Sequence, residues 1–166
     1  MGGLLSVFNE QEGISEFEHM FEVWTNPEAL FEFFQAHQKD LSSSTTEEAV
    51  NRTIEDALAL EDRFLDTVEN DTEQLQTLFK PLSNNQFRLA GFQRSKAYGE
   101  LRRSWLRVYA IRVDEDNYIV TGGAIKLTRT MQDRPHTNDQ LRRLTRMRDY
   151  LIENGFDDRD IEDLEA

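Results

Sequence analysis

Apolar residues recur along this chain with two different periods, and the change from one to the other predicts its architecture. From residue 15 to residue 70 they return three and four positions apart, the spacing of a helix face. Ser15 and Glu18 form a capping box ahead of Phe17, Met20, Phe21 and Trp24. Asn26-Pro27 is a second start signal, opening a helix over Glu28–Leu41 with Leu30, Phe31, Phe33, Phe34 and His37 on a wide apolar face. Thr45 and Glu48 form another capping box and open a long helix to about Asn70. Its expected buried stripe is Val50, Ile54, Ala57, Leu58, Leu60, Phe64, Leu65 and Val68, and Asp56 is placed among its solvent-facing acids.

Between Ser104 and Thr128 the period falls to two, in the one long stretch rich in β-branched and aromatic residues. It predicts a hairpin turning through Asp114-Glu115-Asp116-Asn117. The expected register sets Val113 opposite Tyr118, Ile111 opposite Val120, Tyr109 opposite Gly122, Arg107 opposite Ala124 and Trp105 opposite Lys126. One face is then aliphatic, with Leu106, Val108, Ala110 and Ile125 among its members, and suits burial under helices. The other carries Trp105, Arg107, Tyr109, Tyr118 and Lys126 around Gly122 and Ala124, a surface suited to something anionic or planar. Further strands are expected at Leu4–Phe8 and at 87–92. A last helix is expected over Asp139–Asn154 after an Asn138 cap, closed by Gly155 and followed by a frayed acidic tail.

Charge changes the picture. The net charge of −13 by itself argues against a nucleic-acid partner, but its distribution does not. Residues 1–79 hold 3 basic and 18 acidic side chains, residues 80–149 hold 15 and 7, and residues 150–166 hold 1 and 7. Such asymmetry points either to a charged partner or to acidic helices neutralising a basic sheet within one fold. The chain has no cysteine, so it offers no disulfide framework and no thiolate metal site. No run reaches the roughly 18 apolar residues of a membrane helix, and the first residues lack the basic start of a secretory signal. A cytoplasmic protein without metal or cofactor is the expectation.

Three stretches carry a family likeness. These are Leu78-Phe79-Lys80-Pro81-Leu82, the strand Leu106-Arg107-Val108-Tyr109-Ala110-Ile111, and the run Gly123-Ala124-Ile125-Lys126-Leu127-Thr128. Over about residues 78–150 the chain resembles the RelE/ParE superfamily of toxin–antitoxin toxins, and within it the HigB-like, phage-derived branch. The resemblance implies helices packed on a small curved antiparallel sheet, metal-independent cleavage of messenger RNA on the ribosome, and an antitoxin partner. It implies Arg107 and Lys126 as the cations that stabilise the attacked phosphate, with His136 as the acid for the leaving oxygen. Trp105 and Tyr109 would stack a splayed base, and Lys96 and Arg129 would extend the basic groove.

The chain also departs from that family in its enlarged acidic helical front and in lacking an evident acid–base group after Lys126. The expected molecule is a single α+β domain over 1–166. It comprises an acidic helical part (1–79), a basic antiparallel sheet (80–137), a C-terminal helix at the sheet edge (138–155) and an acidic tail (156–166). Two functions follow: an RNA-directed toxin, or a non-catalytic interaction module whose basic sheet face binds an acidic partner.

Overall fold

The computed structural model describes residues 3–82, 92–94, 101–128 and 133–166, with 73, 92–94 and 101–103 as backbone alone. Three helices form where the capping signals lie: α1 (Glu16–Trp24), α2 (Pro27–Ala36) and α3 (Thr46–Asn70). Ser15 and Thr45 each close a reciprocal capping box, and Asn26 accepts from the backbone of Glu28 and Ala29. α2 stops short of its expected end; a 3-10 turn, Gln38–Asp40, leads on to the serine loop. A short α4 (Leu75–Leu78) completes this part.

The fold is α+β, built on a five-stranded sheet. Its strands are β1 (Gly3–Ser6), β4 (Lys80–Pro81), β7 (Leu106–Arg112), β8 (Asn117–Ile125) and β9 (Glu162–Glu165), in the spatial order β1-β8-β7-β9-β4. Two small ribbons, β2 (Phe8–Asn9) with β3 (Ile14–Ser15) and β5 (Phe92–Arg94) with β6 (Leu101–Arg103), lie outside it. The sheet is mixed: β1 joins β8 in parallel, and the other pairs are antiparallel. The expected tail is no tail. Residues 162–165 form β9 and lie between β7 and β4, with Leu164 in the core.

The hairpin turns where expected. The Asp114 carboxylate accepts from the Asn117 side-chain amide and from the backbone of Asp116 and Asn117, each at 2.9 Å, and so is held below the ordinary carboxylate range. Away from the turn the expected register holds, with Arg107 opposite Ala124 and Tyr109 opposite Gly122, and the Lys126 N–H donates to Trp105. Between Tyr109 and Ala110 the register shifts: Ala110 faces Val120, leaving Thr121 as the extra residue of a bulge. A one-residue shift exchanges faces. Tyr118 and Val120 therefore join Leu106, Val108 and Ala110 under the N-terminal helices, where Tyr118 stacks on Phe79. Tyr118 is not on the face expected for it.

That face is not open. α5 (Pro135–Glu153) lies across it instead of along the sheet edge, and Leu144 and Leu151 pack on Tyr109, Ile111, Val113 and Ala124. Helices thus cover both faces, each over its own apolar cluster. Gly122 and Gly123 make room for them. A Cβ on Gly122 would collide with the Gln140 side chain of α5, and one on Gly123 would lie 2.6 Å from Met20 Sδ and 2.7 Å from the Trp24 ring of α1. α5 starts at Pro135, earlier than expected, and ends as expected at Gly155, whose φ is +96°.

In α3 the buried line runs through Ala49, Thr53, Ala57, Leu60 and Phe64, so Leu58 and Leu65 point to solvent. Asp56 is buried, not exposed, beside Arg52 of the preceding turn.

The two glycines should respond differently to a methyl group. Gly123→Ala meets a rigid indole and should cost about 1–3 kcal/mol. Gly122→Ala meets the movable end of a glutamine and should cost less. Thermal unfolding of both variants checks this, and equal melting temperatures would contradict the close packing of α1 on β8.

Candidate nucleic-acid interface

The backbone of β7 sets Arg107 and Tyr109 on one face, toward α5, and pairing with β9 brings Glu165 opposite Tyr109. Lys126, one residue past the end of β8, closes the group. The Glu165 carboxylate lies 3.3 Å from Arg107 Nε and 3.5 Å from Lys126 Nζ, and all three side chains are at most 9% exposed. Arg107 Nη1 also donates to the carbonyls of Ser104 (2.6 Å) and Leu106 (2.7 Å). Burial, with the Glu165 charge adding, pushes the Tyr109 phenol above its ordinary range. Arg107 and Tyr109 are therefore interior residues, brought together with Lys126 but not exposed in a groove.

Trp105 leaves this group, because it precedes β7 and turns to the opposite layer. Its Nε1 donates to Thr53 Oγ1 at 2.8 Å, and its ring tilts against Phe34. The guanidinium of Arg52 lies over the ring, 4.0 Å from its centroid. Arg52 is the functional candidate that the sequence reading passed over. A signal was there, since only Lys39, Arg52 and Arg63 are basic in the first 79 residues.

Lys126, Trp105 and Arg52 share the wall of a cleft of about 520 Å³, with Ser42, Ser43, Ser44, Ser104 and Thr128 around them. The volume suits a single nucleotide. The Lys126 ammonium, the Arg52 guanidinium over the Trp105 ring and a rim of hydroxyls can together hold a phosphate and stack a base, and the Asp40 carboxylate in the same wall is held by Arg134.

His136 sits in the first turn of α5, not in a loop, and it does not line the cleft. Its Nε2 donates to the Ile125 carbonyl at 2.7 Å, and its ring meets Phe33 and His37 edge to face. Burial holds it below 6.5, and His37 pushes the same way. The ring is neutral at pH 7, with its proton committed to a backbone carbonyl. His37 Nδ1 bonds the Phe33 carbonyl at 2.8 Å. Beside them Arg134 grips Asp40 through Nε and Nη2, holding that carboxyl below its usual range and tying the 3-10 turn after α2 to the start of α5. Lys96 and Arg129 lie outside the described residues.

Among the described residues no helix is long and apolar enough to cross a membrane. Compared with protein-family models, curated proteins and solved structures, the chain has no match.

Two outcomes follow from this geometry. Arg107→Ala leaves Glu165 short of a buried partner and should cost about 3–5 kcal/mol in denaturant unfolding; near-wild-type stability would mean that the ion pair is not formed. For His136, the folded protein resists a proton that the unfolded chain accepts. Its contribution to stability is therefore complete above pH 6.5 and is lost as pH falls from there through the lowered folded value. Proton NMR should show a His136 midpoint below 6.5, and His136→Gln should flatten the stability change in that window. The Asp40 contribution is lost only further down, below 3.8.

Proposed function

We propose that this protein is a toxin resembling the RelE/HigB kind and that it binds messenger RNA at the ribosome through the Lys126–Arg52–Trp105 cleft. The observation that carries the reading is the stack of Arg52 on Trp105 in a hydroxyl-rimmed cleft that also holds Lys126. Trp105 holds the Arg52 guanidinium over its ring, an unstacked base packs against Arg52, and Lys126 meets the adjoining phosphate. Binding is favoured over cleavage. General acid catalysis needs a group that titrates near neutrality beside the phosphate, and the His136 proton is held by Ile125.

A second reading rests on a separate observation. Arg107 and Lys126 already engage an acidic strand through Glu165, which favours a module for acidic peptides.

Fluorescence anisotropy with a short labelled single-stranded RNA tests the first reading. Lys126→Ala should weaken binding about tenfold and reduce the slope of log K against log salt by about 0.7 for the lost phosphate contact. Arg52→Ala should cost about 1–3 kcal/mol of stacking. Expression in a bacterium should arrest growth without new messenger RNA ends, whereas new ends would restore the cleavage reading. No RNA binding at low salt, with capture of an acidic peptide, would replace it with the module.

A further inference from the structure

β9 is an unusual strand. Its sequence is Glu-Asp-Leu-Glu, and acidic residues are poor strand formers. Cations hold it in place. Glu162 pairs with Arg112 at 2.8 Å, Asp163 with Arg148 at 3.1 Å, and Glu165 with Arg107 and Lys126. Leu164 is its one apolar anchor. Its backbone is paired along one side with β7, continued by reciprocal bonds between Val108 and Ala166 at 3.0 and 2.8 Å. On the other side, among the described residues, it pairs with Lys80 and Pro81, and a proline has no N–H to give.

Glu165 also stands in a particular place. Its two oxygens face the two cations as two phosphate oxygens would, and one of those cations, Lys126, is shared with the cleft wall. An anion entering the cleft therefore competes with Glu165 for Lys126. Losing Lys126 weakens the hold on the strand that also shields Arg107.

We propose that the Arg107–Lys126 pair is a phosphate site occupied in cis by Glu165, and that β9 is displaced when an RNA phosphate takes the place of that carboxylate. This rests on the RNA-binding reading above and adds its regulation. The closed form binds RNA weakly, through Lys126 and Arg52. Release of β9 adds Arg107 and strengthens the grip. The ion pairs that hold β9 make its release easier at higher salt, while salt weakens RNA binding itself.

A reversible lock tests it. The chain has no cysteine, and Arg112 and Glu162 face each other in register at the surface. In the variant Arg112→Cys/Glu162→Cys, the oxidised protein has β9 tied to β7 and the reduced protein has it free. The same labelled single-stranded RNA should bind the oxidised form at least tenfold more weakly than the reduced form, with reduction restoring affinity. A second variant, Glu165→Gln, should bind about tenfold more tightly than wild type, and amides 162–165 should exchange faster with RNA bound. Equal RNA affinity of the oxidised and reduced forms, with wild-type binding that still depends on Lys126, overturns the displacement alone. Absence of RNA binding by folded wild type and by both forms overturns the RNA reading and the displacement with it.

Discussion

One buried carboxylate organises this molecule. Glu165 meets Arg107 and Lys126 where hardly any solvent reaches, and three desolvated charges are tolerable only while each is paired. Its position seats β9, and β9 in turn joins β4 to the sheet and brings Leu164 into the larger core. The contact joins the end of the described chain to its central hairpin. The residues it engages are the same cations that suit a phosphate.

The sheet around that contact is covered on both sides because of three adjacent positions in β8. Thr121 bulges and turns Tyr118 and Val120 toward the N-terminal helices. Gly122 and Gly123 then remove side chains where α5 and α1 approach from opposite sides. A flat strand with ordinary side chains here would hold each helix further away and leave cavities around the indole of Trp24 and the amide of Gln140. The hairpin is thus an interior layer with helices on either hand.

The charge asymmetry of the chain is largely internal complementarity. Arg112 meets Glu162, Arg134 meets Asp40, Arg143 meets Glu16, and Arg148 meets Asp158 and Asp163, so basic residues of the middle segment hold acidic residues from the chain's other parts. The cleft borders these pairs, since Asp40 lies in its wall and Lys126 is shared with Glu165. It collects Lys126 from the hairpin, Arg52 from a largely acidic helix and hydroxyls from the serine loop.

The sequence by itself determined the local events. Capping boxes at Ser15 and Thr45, the Asn26-Pro27 start, the Asp114–Asn117 turn and the register from Trp105–Lys126 to Tyr109–Gly122 are settled by residues close in the chain, whose hydrogen bonds need no distant partner. Tertiary structure alone decided the rest. Alternation cannot reveal a bulge, because one extra residue leaves the composition of the strand unchanged while exchanging its faces. Local propensity reads Glu-Asp-Leu-Glu as a frayed tail; four cations supplied by β7, α5 and the end of the hairpin make it a strand. The candidate site divided along the same line. Lys126 and Trp105 were legible as residues of the right chemistry, whereas the burial of Arg107 and the arrival of Arg52 over Trp105 depend on contacts between residues more than fifty positions apart.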